Sequence, residues 1–445
     1  MASDLLSIAR SGAQVARLAL DVTAQNIANA ASAGYVRRSV QLGEVAATGG
    51  IGRIGDISLS GVRLERVVRN ADLFRQAETR RTGADAARAD AEVTGLENVA
   101  TAVEQATLYP AIVQFQASLQ QLAADPVDPS LRAAVIEDAR TMTRAFNIAA
   151  TGLDAAGTGL RFEASDDVVQ VNLLAGELGR VNLRLARAAD ASSDQTALLD
   201  QRDSLLQQLS DRVDVSTVID ANGTVEVRLG GTAGAQLVTG GSASPLAMAT
   251  AADGTISFTL GGGAVSLVAG SLTGRAQALQ KLADIRTRLD TAAAGLIATV
   301  NTALSGGVAL DGSPGQPLFG GSGAGNIALA FENGALLATA PAGAGANSRD
   351  PANLVALRSA LRSADPAEAL DALIFDISGT VAGRSVTRDA LTTIAATARI
   401  ALEAQSGVDL DAEAVNLIRY QQAFQASGRV MQVASTLFDT LLGIR

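Results

Sequence analysis

The chain has 445 residues, a formal net charge of −10, 48% apolar and only 3% aromatic residues, and neither His nor Cys. That length calls for two or three folded units rather than one core, and the acidic balance argues against a nucleic-acid partner, which needs a Lys/Arg footprint. Without His or Cys there is no disulfide, thiolate nucleophile, His-based metal site or Ser-His-Asp triad, and Lys281, the only lysine, lies in no Gly-Lys-Ser/Thr loop. No metal and no cofactor are expected.

Mean hydropathy is +0.23 and there is no Trp, so cores must be built from Ala, Leu, Val and Ile. Such thin cores suit helix-on-helix seams. The start, Met1-Ala2-Ser3-Asp4-Leu5, lacks a basic stretch followed by an unbroken apolar run, so no secretory signal is expected. The uncharged run 254–274 is interrupted by Gly at 254, 261, 262, 263, 270 and 274, too polar for a lipid-spanning helix. No membrane insertion is expected, and the residues alone default to cytoplasm. Arg37-Arg38 and Arg80-Arg81 read as isolated pairs on solvated faces.

Residues 4–30 read as a helix. Leu6, Ala13, Leu20 and Ile27 recur every seven positions, and Ile8, Val15 and Val22 form a second row. Two such rows make a seam for a partner helix, and Gly34 is its stop. Residues 43–70 are Gly-rich with short alternations (Ile57, Leu59; Val62, Leu64), predicting a linker with a small hairpin. Residues 71–212 read as helices. Asp128-Pro129 supplies a cap followed by Pro at the first helical position, then Leu131, Val135, Ala139, Met142 and Phe146 follow at spacings of four or three. A further helix carries Leu198, Leu199, Leu205, Leu206 and Leu209.

At Val213 the period changes to two. Asn222-Gly223 and Asp253-Gly254, each between alternating runs, are strong hairpin signals, so 213–272 is predicted to be a small inserted β domain. Helix returns at 273–304 with Leu279, Leu282, Ile285, Leu289, Leu296 and Val300 on one face. Residues 305–348 are Gly-rich, with a third hairpin expected at Asn333-Gly334. Asp350-Pro351 and Asp365-Pro366 start two more helices. The last helix, 409–443, carries Leu410, Leu417, Phe424, Met431 and Phe438 every seven residues, with Tyr420, Ser427, Ala434 and Leu441 as the neighbouring row.

The fold class is therefore α+β, mainly α: terminal helices paired as a coiled-coil stalk, a helical middle domain and a small inserted β domain. The expected partition is an N-terminal helix at 1–42, a linker with hairpin at 43–70, a helical domain in two parts at 71–212 and 273–406, the β insert at 213–272, and a C-terminal helix at 407–445. Two paired helices have no third layer over their outer apolar rows. They are expected to be marginal alone and to order on packing against identical copies.

The two ends carry a resemblance. LALDVTAQNIANAASAGY (18–35) is similar to the N-terminal signature of bacterial flagellar axial proteins (rod, hook and hook-associated proteins). SGVDLDAEAVNLIRYQQAFQASGRVMQVASTLFDTLLGIR (406–445) resembles their C-terminal signature. In the middle, LQQLAADPVDPSLRAAVIEDA (119–139) and ALLDQRDSLLQQLSDRVDVS (197–216) resemble the hook-associated members, whereas hook and rod subunits lack those segments. The chain departs from the pattern at Gln25-Asn26 (usually Asn-Asn), Ala31-Ser32 (usually Asn-Thr) and Val36 (usually Ser). The resemblance implies a structural subunit and no enzyme. It implies export through the flagellar channel without a cleaved signal, a cytoplasmic export chaperone on the C-terminal region, and assembly as a ring of copies on the hook protein. That ring would receive a second junction protein and the filament.

The residues expected to carry axial packing are Leu6, Leu20, Asn26, Ile27, Asn29, Leu410, Asn416, Leu417, Tyr420, Phe424, Met431, Phe438 and Leu441. For the apolar ones, the competing reading is the core of an intramolecular helix pair. For Gln25, Asn26 and Asn29 it is plain helix-surface amides, against register-setting hydrogen bonds between subunits. Asp409, Asp411 and Glu413 fit a helix N-terminus better than a cation site. Asp166-Asp167 and Asp200/Asp203 fit surface faces better than a glycosidase pair. The run 320–325 fits a flexible loop better than a phosphate loop, and Tyr35 and Tyr420 fit packing.

Overall fold

The computed structural model describes residues 2–32, 34–46, 59–189 and 192–442. The described chain is mostly helical, and it divides into two compact units, one assembled from three stretches and the other from two. Unit 1 comprises Met1–Ala84, Val171–Pro245 and Thr392–Arg445; unit 2 comprises Asp85–Gln170 and Leu246–Leu391.

The first helix, α1 (Ala2–Asn29), leads into an antiparallel pair, β1 (Arg38–Ala46) and β2 (Leu59–Arg69). These strands are longer than the small hairpin expected, and β1 starts inside the stretch assigned to the terminal helix. Ile57 lies outside the described residues. Gly61, at φ 100°, lets the β2 backbone approach α1: a Cβ there would stand 2.2 Å from the Ser11 hydroxyl. The helices α2 (Leu73–Glu104), α3 (Leu108–Leu122), α4 (Pro129–Leu185) and α5 (Ser193–Ser210) follow. The Asp128 carboxylate accepts from the backbone N–H groups of Ser130 (2.7 Å) and Leu131 (3.0 Å), so the cap read in the sequence starts α4.

The strands of residues 213–272 form two sheets. The first is β3 (Ser216–Ile219), β4 (Val225–Leu229), β5 (Ala235–Thr239) and β6 (Ser242–Ala243), within unit 1. The second is β7 (Leu246–Thr250), β8 (Ile256–Leu260) and β9 (Gly263–Val265), within unit 2. Pro245, which has no N–H to donate, sits at the break. Both expected hairpins are present, with Gly223 at φ 84° and Gly254 at φ 83° in their turns.

Unit 2 continues with α6 (Ser271–Ser305) and two short strand pairs, β10 (Gly307–Val308) with β13 (Ala340–Pro341) and β11 (Phe319–Gly320) with β12 (Ala328–Leu329). Asn333-Gly334 opens a 3-10 turn rather than a hairpin, because the Asn333 side chain caps the N–H of Ala335 at 3.0 Å. The run 320–325 is no free loop either: Asn326 accepts from the N–H groups of Ser322 and Gly323, Asp290 accepts from Ala324, and Ala324 is buried. Then come α7 (Ala352–Ala364) and α8 (Pro366–Ser406), the latter capped by Asp365 at φ 37°. The final helix is α9 (Leu410–Leu442).

The core of unit 2 joins α2, α3, α4, α6, α7 and α8 around Phe115, Phe146, Met142, Leu289 and Phe319, with Phe115 and Phe319 edge to face at 5.9 Å. Gly95 of α2 and Gly157 of α4 are the close approaches to α6, facing Ala278 and Leu282. On the other flank, Asp376 of α8 pairs with Lys281 and Arg288 of α6, and Arg384 of α8 pairs with Glu92 of α2. Arg132, like Arg202, is among the largest fully buried side chains of the described residues. Its guanidinium meets no acidic partner among the described residues and donates to the carbonyls of Pro126, Gly334 and Leu337 and the hydroxyl of Thr339.

Candidate assembly interface

The two terminal helices pair with each other. Asn26 meets Glu413, and Gly12 faces Ser427 so closely that a Cβ would stand 3.0 Å from the Ser427 hydroxyl. Residues rising along α1 thus meet residues falling along α9, and the pair is antiparallel. α1 also packs on β1 and β2, which is why its inner face is well covered: Ala9, Ala13, Val15, Ala16, Ala19, Val22 and Thr23 are buried. Among the described side chains of α9, only Glu413 and Ala434 are buried.

The predicted packing residues divide accordingly. Leu6, Leu20, Asn416, Leu417, Tyr420 and Met431 are half-buried. Ile27, Leu410, Phe424 and Phe438 are exposed, with Phe424 at 44% and Phe438 at 47%. The side chain of Leu441 lies outside the described residues. Beyond the predicted set, Leu5, Ile8 and Leu18 of α1 and Val415, Ile418, Val430, Val433 and Leu437 of α9 are also exposed. Asn29 is half-buried and bonds only back to the Gln25 carbonyl of its own helix.

Asn26 behaves differently. It is 1% exposed and makes four hydrogen bonds. Its amide N donates to the Arg38 carbonyl (2.8 Å) and to Glu413 Oε2 (3.2 Å). Its Oδ1 accepts from the Tyr35 hydroxyl (2.9 Å) and the Arg38 N–H (3.0 Å). All four bonds are made within the chain to a 1% exposed side chain, so Asn26 is not a plain helix-surface amide. Glu413, equally buried, takes Arg37 through Nε and Nη2, both at 2.7 Å. Asp409 supplies the helix cap instead, accepting from the N–H groups of Asp411 and Ala412. This polar cluster locks the end of α1, the start of β1 and the first turn of α9 together. The backbone N–H of Arg37 adds a bond to the Ser406 carbonyl at 2.9 Å.

A second group of ion pairs adjoins it. Arg38 and Arg69 bind Asp200 at 2.8 Å each, and Arg69, Arg202 and Gln76 bind Asp203. Arg37-Arg38, Arg80 and Asp200/Asp203 are therefore not solvated faces: Arg80 is 6% exposed, and the Asp200 and Asp203 side chains 16% and 9%. Spacing reads charge without reading the second element that covers it. Burial opposes the charge on Asp203, but Arg202 and Arg69 overcome it and hold the carboxyl below its usual range. Burial pushes the Tyr35 hydroxyl up, against the opposing charge of Arg38, whose guanidinium lies 5.2 Å from its ring centre. Burial also pushes Asp211 up, partly offset by the Gln207 amide.

Tyr35, Gln76, Arg80, Asp203 and Asp211 line a cavity of about 610 Å³. Its groups are engaged in ion pairs and hydrogen bonds rather than arranged as a nucleophile beside a base. Among the described residues no acidic cluster is placed to hold a metal ion, and no helix is long and apolar enough to cross a membrane.

Comparison with known proteins agrees with these features. Residues 93–319, just over half the chain, match the model "Flagellar hook-associated protein FlgK helical domain". Residues 402–444 match "Flagellar basal body rod FlgEFG protein C-terminal". The flagellar hook-associated protein 1 of Salmonella typhimurium is 28% identical over 249 residues, covering 55% of this chain and 44% of that protein. Those of Bacillus subtilis (26% over 240 residues; 50% and 47%) and Escherichia coli K12 (27% over 249; 55% and 45%) are similar. These matches span just under half the length of the relatives. The solved flagellar hook junction protein FlgK from Burkholderia pseudomallei superposes with a TM-score of 0.64, covering 74% of this chain and 99% of that one at 14% identity, and so shares the fold.

Paired terminal helices with uncovered apolar rows, joined to a helical body and small sheets, define a structural subunit of the flagellar axial class. Within that class, the chain belongs to the family of the flagellar hook-associated protein FlgK.

Proposed function

We propose that this protein is the structural adaptor that joins hook to filament, assembling as a ring of copies through its paired terminal helices. Its partners are then other copies of itself, the hook protein, a second hook–filament junction protein, and a cytoplasmic export chaperone at the C-terminal region. Its place is the extracellular flagellum, and it performs no catalysis. One observation carries this reading. The helix pair leaves Leu410, Val415, Ile418, Phe424, Leu437 and Phe438 exposed on α9, far more apolar surface than a monomer's stalk needs. Stacked copies supply the missing layer, each buried Phe or Leu contributing about 1.5–3 kcal/mol.

The test is a deletion strain viewed by negative stain. Complete hooks without attached filaments support the junction role. Absent hooks make the protein a hook or rod subunit instead, and attached filaments remove it from the axial structure altogether.

A further inference from the structure

In unit 2, α2 and α6 stand in the middle and α4 and α8 form the flanks, as the contacts of Gly95, Gly157, Asp376 and Arg384 place them. Both flanking helices turn an uncharged row outward. On α4 the row is Ile148, Thr151, Ala155, Gly159 and Phe162; on α8 it is Phe375, Gly379, Ala382 and Val386. All nine are exposed, Phe162 at 75% and Phe375 at 79%. At about 100° per residue the rows lie roughly opposite Gly157 on α4 and Arg384 on α8, and a quarter turn from Asp376, so each row points outward from its own flank. Each combines a projecting ring with a hollow about one turn away, because a Cβ at Gly159 or Gly379 would meet nothing within 4 Å.

Two unlike apolar faces on opposite flanks suit a head-to-tail contact that closes into a ring; a two-fold dimer would need a single self-complementary patch. Their size sets when they engage. Each row is about 15–20 Å long and one helix wide, a few hundred Å² against the roughly 800 Å² per partner of a stable interface. Such a contact does not hold free monomers together. It adds to the stalk contacts once those have brought copies side by side.

We propose that, in the assembled ring, the Phe162 face of α4 in one copy packs on the Phe375–Val386 face of α8 in the next. This rests on the ring assembly proposed above. The test uses the absence of Cys from the natural chain. Full-length tagged proteins carrying F162C with G379C, F162C with V386C, and each single substitution are expressed in a deletion strain, and detached flagella are oxidised and immunoblotted. The expected result is a ladder of covalent oligomers for at least one pair, from junctions but not from purified monomer, and only monomer for V386C or G379C alone. Filaments that stay attached with no ladder from either pair overturn the proposed faces while leaving the junction role standing. Dimers from F162C alone overturn them in favour of a two-fold contact. Attached filaments in the deletion strain itself overturn the junction role instead.

Discussion

Replacing Glu413 by Gln tests whether the polar cluster at the base of the helix pair sets the pairing of the two ends. The substitution keeps the shape and one acceptor but removes the charge that Arg37 contacts at 2.7 Å through two nitrogens. Charge-assisted hydrogen bonds contribute about 1.5–3 kcal/mol each, and breaking a fully buried pair costs about 3–5 kcal/mol. The Arg37 side chain is 29% exposed, so water recovers part of the loss, and about 2 kcal/mol is expected. Asn26 keeps its bonds to Tyr35 and Arg38, so the loss should fall on the pairing of α9 rather than on α1. The chain has no Trp and three Tyr, two of which, Tyr35 and Tyr420, report on this region. Urea unfolding followed by Tyr fluorescence and by hydrogen exchange over 410–440 should show early opening of α9 with unit 2 unchanged. A double-mutant cycle with R37M should return a coupling of about 1–2 kcal/mol. A coupling near zero, or equal destabilisation of unit 2, refutes the reasoning.

Truncating Phe424 or Phe438 to Ala should cost the monomer less than about 1 kcal/mol, since both rings are half exposed, yet reduce assembly at least tenfold; equal losses in monomer melting and assembly count against a layer supplied by copies. Gly12→Leu drives a side chain into Ser427 and should cost about 1–3 kcal/mol of helix pairing, read as loss of protection in α1. Arg132→Met leaves the Pro126, Gly334 and Leu337 carbonyls and the Thr339 hydroxyl without their donor, and should lower the stability of unit 2 by about 3 kcal/mol or more in calorimetry. Asp203 and Asp211 should respond oppositely to pH. The depressed carboxyl of Asp203 stabilises the fold above its ordinary value of 3.8, and that contribution is lost as pH falls through the lower folded value, so D203N should flatten the acid-side stability profile. Asp211, pushed up by burial, favours the fold only when protonated; that advantage fades as pH rises above 3.8, so D211N should be neutral or stabilising at pH 7 in melts against pH.

The parts of the fold that were legible in sequence are those dictated by local chemistry. Asp128, Asp350 and Asp365 each cap the first N–H groups of the helix they precede, and Asn222-Gly223 and Asp253-Gly254 each close a hairpin. Heptad spacing identified both terminal helices, but it could not say which of two adjacent rows faces inward. On α9 the row holding Tyr420, Ser427 and Ala434 lies on the α1 side, while Leu410, Phe424 and Phe438 lean outward. The strands of 213–272 look alike along the chain, and only Pro245 marks where one sheet ends and the other begins.

The polar residues were the least legible, for one physical reason. An ion pair across 376 residues, as between Arg37 and Glu413, leaves no local pattern. Yet these residues discriminate most sharply between possible pairings of the ends. Apolar rows at heptad spacing tolerate a slip along the seam, because one Leu or Ala packs much like another. The polar cluster tolerates none, since a slip of α9 breaks the Asn26–Glu413 bond and leaves Glu413 buried without Arg37. In the proposed assembly the apolar rows would supply the adhesion between stacked copies, and the buried amide and carboxylate would fix the register in which each copy offers it. A chain with both changed to apolar residues of similar size, N26L with E413M, should still form two terminal helices. It should lose the single hydrogen-exchange pattern of α9 and assemble with lower order, whereas an unchanged pattern would place register control in the apolar seam instead.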